Sequence, residues 1–326
     1  MATTETGDST GRQLPPADQL ISDPAAIDPA LPLVLAADDL RAGGVLDSSS
    51  KRIRREQLRL LARSRTFQAG AAILLVWIVC AVFGGLFRPY NPLAQNLLSI
   101  NQAPSARHLF GTDNLGRDVF SRVVIGSRDI LVIAPLATVL GTVLGTVLGL
   151  LQGYYRGVVD AITGRVVEAF LALPVVIVAF LFIVAVGPSE ASLIIVIGFA
   201  FGLVISRTVR TAVLQERELD YVAAARLRGE GALHTMFVEV LPNILAPIIV
   251  EFTVRLGYAI FAVATLSFLG FGVRPPTPDW GADIATNAQY LAAGYWWETL
   301  FPALAIASLI TGINLIGDSI ESVIIQ

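Results

Sequence analysis

The chain has 326 residues, of which 54% are hydrophobic and 15% charged, with a formal net charge of −3. Soluble domains carry roughly 25% charged residues, so this composition points to a membrane protein, and the negative balance disfavours nucleic-acid binding. One cysteine, Cys80, and two histidines, His108 and His234, leave no material for a disulfide framework or a Cys/His zinc site. The single lysine, Lys51, lies in Ser50-Lys51-Arg52, which is not a phosphate-binding loop, so ATP hydrolysis by a P-loop is excluded.

Residues 1–50 scatter aspartates from Asp8 to Asp47 among Ala, Pro, Ser and Thr without an apolar period, and read as a disordered acidic tail. Only Arg12 and Arg41 are positively charged before Lys51, and no apolar run follows a basic segment within the first 30 residues, so no secretory signal is expected. Residues 51–66 mix Lys51, Arg52, Arg54, Arg55, Arg59, Arg63 and Arg65 with Ile53, Leu58, Leu60 and Leu61. This is either a basic amphipathic helix on a membrane surface or the solvated flank of the next segment, and both readings hold it on the cytoplasmic side.

Residues 67–326 read as a six-helix, all-α transmembrane domain. Apolar runs cover 67–87, 130–151, 166–187, 191–205 with continuation to 214, 243–270 and 299–317. A helix rises about 1.5 Å per residue, so roughly 20 residues cross a hydrocarbon core of about 30 Å. The fourth run is long enough only if Arg207 and Arg210 lie at the interface. Six spans put both termini in the cytoplasm, residues 88–129 outside and residues 214–242 inside. Arg88, Arg107, Arg117, Arg122 and Arg128 in the external segment run against the positive-inside tendency, whereas Arg217, Arg226 and Arg228 in the inner loop follow it. Pro135, Pro174, Pro247 and Pro302 are expected to kink, unwind or begin their spans.

Gly141, Gly145, Gly149 and Gly153 line one face of the second span, where backbones can approach closely; packing against a neighbour in the same subunit is the expected use. Ionisable groups inside spans are rarer, because a charge at the bilayer centre costs at least roughly 2.5 kcal/mol. Glu251 and Arg255 share a face of the fifth span at i,i+4, and Glu168 begins the third span near Arg165. These residues form either a polar path or gate, or pairs that satisfy themselves near the cytoplasmic rim. His108 and His234 fall on opposite sides of the membrane, so neither assembles a catalytic triad, and both are expected at the surface or interface.

In the external segment, Thr112 or Asp113 can cap a short helix whose apolar stripe is Val119, Phe120, Val123 and Val124, with Arg117, Ser121 and Arg122 opposite. Asp118 and Arg122 are spaced to pair. In the cytoplasmic loop, Glu216 to Gly229 suggests a helix with small residues at Ala223, Ala224 and Ala225. Gly229 is placed to stop it, and Pro242 permits a turn into the next span.

Ala223-Ala224-Ala225, Gly229 and Leu241-Pro242 resemble the EAA loop of ABC-importer permeases. The block from His108 through Gly111-Thr112-Asp113 and Gly116-Arg117-Asp118 to Arg122 is similar to the external segment of the "C"-type permeases of dipeptide, oligopeptide and nickel importers. Ser267 to Gly272, Pro275 to Gly281 and Asn314 to Asp318 look like the closing blocks of the same family. The resemblance implies a type I importer permease without covalent chemistry of its own. It would pair with a homologous permease and two ATP-binding subunits, which use ATP and Mg, and receive substrate from an external binding protein. Asp220, Tyr221, Ala223, Ala224, Ala225, Arg226, Gly229 and Pro242 would then form the coupling element in a bacterial cytoplasmic membrane. Ala223 stands where the family carries the glutamate that names the loop, and no Asp-Pro-Arg ending precedes Gln326. An ion-coupled secondary transporter is the alternative, but neither an inverted repeat nor a midplane acidic cluster is visible.

Overall fold

The computed structural model describes residue 61 and residues 63–324; the acidic stretch 1–50 and most of the basic segment 51–66 lie outside them. Among the described residues every long element is helical. They are α1 (Arg65–Phe87), α2 (Val119–Tyr155), α3 (Gly157–Leu171), α4 (Val175–Val186), α5 (Glu190–Glu216), α6 (Asp220–Leu227), α7 (Leu245–Phe268), α8 (Trp280–Asn287) and α9 (Trp297–Ile324).

Five of these, α1, α2, α5, α7 and α9, are long and apolar enough to cross a membrane. The expected third span is not one straight helix: α3 and α4 meet at an angle of 88°, and the described residues hold six spans only if this bent pair counts as one. Its cause is local. Pro174 offers no N–H to continue α3 and biases Leu173 away from helical backbone, so the chain restarts at Val175. Pro247 lies in the opening turn of α7, while Pro135 and Pro302 sit inside helices that run on through them without a break.

The glycine face of α2 packs inside the chain. A Cβ at Gly141 would stand 2.8 Å from the Gly198 carbonyl oxygen of α5, and one at Gly145 would stand 2.7 Å from that of Gly202. At Gly149 and Gly153 the intruding neighbours are Val209 and Val213, each 2.6 Å away. Gly198 and Gly202 in turn receive Leu140 and Leu144, so the two helices exchange small and large residues along their length. Leu75, Val82 and Leu86 on α1 stay exposed, as residues facing lipid would.

Helix α2 corrects a second expectation. It is continuous over 37 residues, about 55 Å, so residues 119–124 are its first turns and not a separate interfacial helix. Val119, Val123 and Val124 are buried, but so are Ser121 and Arg122. Helix α8 covers the polar face opposite that stripe through Asp283, which pairs with Arg122, and its Trp280 Nε1 donates to the Val123 carbonyl at 2.9 Å.

Candidate functional site

At the far end of α2, residues 214–242 form a folded unit. Arg217 caps the helix by donating from Nη1 to the carbonyls of Tyr154 at 2.5 Å and Gly153 at 3.2 Å. Val222, Met236 and Val240 join Leu150, Ile205, Val209 and Val213 in one buried cluster, which fixes α6 against the ends of α2 and α5. Gly229 closes α6 as anticipated. Its φ is +80°, its N–H bonds the Arg226 carbonyl at 3.0 Å, and the next N–H, of Glu230, reaches back to Ala225 at 3.2 Å. This paired cap requires a left-handed residue at the turn.

Beyond the cap, residues Thr235–Val240 adopt a π-helical turn, with Leu241 N–H bonded to the Met236 carbonyl. Pro242 follows in a short helical turn over Leu241–Asn243. Arg228 bridges the two parts, lying 2.7 Å from Glu230 and 3.4 Å from Glu239. The Tyr221 hydroxyl donates to Glu216 at 2.8 Å and accepts from Asn243 Nδ2 at 3.1 Å. Burial and the Glu216 carboxylate push its pKa up to about 12, so it stays a donor throughout the physiological range.

The three alanines do not share a face. Ala225 is fully buried beside Val222, Ala224 is half-buried and Ala223 is exposed. The free face of α6 therefore runs through Leu219, Ala223 and Leu227 at i, i+4 and i+8, with Leu227 90% exposed. Asp220 and Arg226 border it; Arg226 rests over the Tyr154 ring at 5.0 Å. Sequence reasoning missed Leu219 and Leu227, although their four-residue spacing with Ala223 carries the signal. Asp220 is exposed and has no ion pair among the described residues, whereas Glu218 is engaged by Arg156 at 2.9 Å.

At the opposite end, the 88–129 segment is a compact polar knot. Asp113 accepts from the backbone N–H of Leu115 and Arg117, each at 2.9 Å, and from Arg117 Nε at 2.6 Å. Asp118, not Thr112 or Asp113, caps the helix, accepting from the Ser121 N–H at 2.8 Å and hydroxyl at 2.7 Å. It also lies 2.9 Å from His108 Nδ1, which draws His108, expected at the surface or interface, partly inward. Thr112 donates to the Ser99 carbonyl, and Trp297 Nε1 donates to the Thr112 carbonyl. Gly111 and Gly116 have φ of +76° and +70°, and a Cβ at Gly116 would fall on the Asn96 carbonyl group. Arg122 does not pair with Asp118; its partner is Asp283 of α8.

Glu251 and Arg255 do meet, Arg255 Nη2 lying 2.6 Å from Glu251 Oε1. Glu168 makes no ion pair with Arg165. It lines a cleft with Arg165, Arg207 and Arg210, and Arg210 is bound to Asp160.

Long apolar helices, a glycine-packed centre and a folded helical loop at one end define an integral membrane protein of the importer-permease architecture. Residues 145–326 match the family of binding-protein-dependent transport system inner membrane components, and residues 54–104 match the N-terminal transmembrane domain of oligopeptide transport permease C. The chain belongs to this family of ABC-importer permeases, whose ATP hydrolysis resides in separate ATPase subunits, and is itself a membrane-embedded transport subunit. It is 41% identical to the dipeptide transport system permease protein DppC of Escherichia coli K12, over 77% of this chain and 87% of the relative. Its identity to DppC of Bacillus subtilis is 33%, over 81% and 82%. It is 36% identical to the di/tripeptide transport system permease protein DppC of Pseudomonas aeruginosa, over 80% and 88%. A chain of the inward-facing MetNI methionine ABC transporter shares the fold, with a TM-score of 0.52 at 19% identity, covering 62% of this chain and 96% of that one.

Proposed function

We propose that this subunit forms half of the translocation path of an ATP-driven importer of short peptides. The observation that carries the coupling part of this reading is the exposed Leu219, Ala223 and Leu227 stripe on a helix seated in the chain's own core. A rigidly held helix with an apolar ridge suits a groove on another protein. In this reading α6 docks on an ATPase subunit. Asp220 supplies the charge that Ala223 lacks, Arg226 flanks the contact, and Tyr221, Ala225, Gly229 and Pro242 hold the helix in place. Ala224 lies at the margin.

The partners are a homologous permease subunit, two ATP-binding subunits that use ATP and Mg, and an external substrate-binding protein. Both termini lie in the cytoplasm, and residues 88–129 face the binding protein. Their buried hydrogen bonds and ion pairs favour a shaped platform over direct capture of substrate. Glu251 and Arg255 form a self-contained pair. The DppC relatives support short peptides as the substrate class.

The test is uptake of a radiolabelled dipeptide into proteoliposomes holding the four-subunit assembly. Uptake requires ATP and the loaded binding protein and is indifferent to an imposed proton or sodium gradient; uptake driven by a gradient alone would contradict the proposal.

A further inference from the structure

Where α3 passes the end of α2 and the last turns of α5, the protein has an open-sided cleft of about 340 Å³, lined among others by Gln152, Asp160, Arg165, Glu168, Arg207 and Arg210. Arg210 and Asp160 neutralise each other through two contacts of 2.6 Å, Nε to Oδ1 and Nη2 to Oδ2. Among the described residues Arg165 and Arg207 form no ion pair, and neither does Glu168, which leaves the cleft with one positive charge in excess. Gln152, which lines this cleft, is 1% exposed, and its buried Nε2 amide donor has no acceptor among the described residues. A buried donor left empty is costly, and with the exposed guanidinium groups of Arg165 and Arg207 beside it the orphaned amide calls for an oxyanion with several acceptor oxygens.

We propose that this cleft binds the phosphate of an anionic phospholipid from the inner leaflet. The assignment rests on the topology of the importer reading, which puts the ends of α2 and α5 on the cytoplasmic side. Basic pockets between transmembrane helices on that side receive anionic head groups. Beside the cleft, α3 exposes Val158, Ile162 and Val166, an apolar track for acyl chains. One excess positive charge matches the single negative charge of a phosphodiester, and Glu168 disfavours a more highly charged free phosphate, whose monoesters carry about −1.5 to −2 at pH 7. The unused cations thereby gain a partner that the membrane supplies.

Native mass spectrometry of the purified four-subunit assembly tests this, with phosphatidylglycerol, phosphatidylcholine or inorganic phosphate added after delipidation. Phosphatidylglycerol is retained in preference to phosphatidylcholine, and excess inorganic phosphate does not displace it. Arg165→Gln with Arg207→Gln reduces that retention about tenfold or more, while Arg88→Gln, an exposed arginine of the 88–129 segment, leaves it unchanged. If the double variant does not assemble, Gln152→Leu, which removes the buried donor and no charge, is expected to weaken retention several-fold. Equal retention of both lipids, displacement by inorganic phosphate, or equal loss in Arg88→Gln would each overturn the proposal. An assembly that transports peptide with ATP yet shows no lipid preference defeats this inference alone; accessibility labelling that inverts the topology defeats the importer orientation instead.

Discussion

Arg122 and Asp283 are 161 residues apart in sequence, yet Nη2 of one lies 2.5 Å from Oδ1 of the other, with both side chains under a tenth exposed. The pair clamps α8 to the start of α2, and Arg122 Nη1 also donates to the Pro92 carbonyl at 3.2 Å. Burial pushes the Asp283 carboxyl upward, and Arg122 is the chief counterweight. Arg122→Gln is therefore expected to destabilise the subunit by about 3–5 kcal/mol, whereas Arg122→Met with Asp283→Leu comes closer to wild type. In Arg122→Gln the folded state holds a proton on Asp283 that the unfolded state releases above its ordinary carboxylate range. Stability of that variant falls as pH rises, and thermal unfolding in detergent at pH 5 and pH 8 measures the sign.

The α2–α5 seam predicts opposite outcomes for two glycine replacements. Gly145→Ala places a methyl 2.7 Å from both the Gly202 carbonyl and Ile205, and overpacking of this kind costs about 1–3 kcal/mol. Gly85→Ala on α1 meets nothing within 4 Å and gains helix propensity, so it is neutral or stabilising by up to about 1 kcal/mol. Melting temperatures of the two variants in the assembled complex decide the matter.

For Glu251 and Arg255 the expected asymmetry is between single and double changes. Arg255→Gln strands a carboxylate in a poorly hydrated place, while adding Glu251→Gln removes it. Yield of folded complex is expected to be lower for the single variant. Full yield and transport from every single change would show the pair to be hydrated and idle.

Five of the six expected spans, the glycine face, the stop at Gly229 and the Glu251–Arg255 pair were legible in sequence because each is a local pattern with a period or a spacing. Three features were not. The partner of Arg122 lies on an element distant in sequence, while Asp118 at i−4 offered a plausible local alternative that helix capping had already claimed. Residues 119–124 carry polar groups that sequence assigns to water, and only the packing of α8 explains their burial. Ala223, Ala224 and Ala225 offer no contrast in size or polarity, so which alanine turns inward was decided by Val222, Met236 and Val240.

Topology has its own test in a Cys80→Ala background. Ser189, before α5, and Leu233, beyond the cap of α6, are both exposed. Cysteine at Ser189 is expected to react with an impermeant thiol reagent in intact cells, and cysteine at Leu233 only after the membrane is opened. The reverse pattern would invert the orientation proposed for both termini.

The most direct measurement of the coupling account is recovery of the ATPase subunits with permease variants purified from membranes. Leu227→Asp and Ala223→Arg alter the exposed ridge of α6, and Gly229→Val forces a β-branched residue to φ +80° at its cap. None of the three touches a span, so insertion and pairing with the second permease are expected to persist while ATPase recovery and stimulated ATP hydrolysis fall about tenfold or more, the effect of roughly 1.4 kcal/mol or more at a contact. Full ATPase recovery and transport in all three variants would contradict the assignment of residues 220–229 as the coupling element.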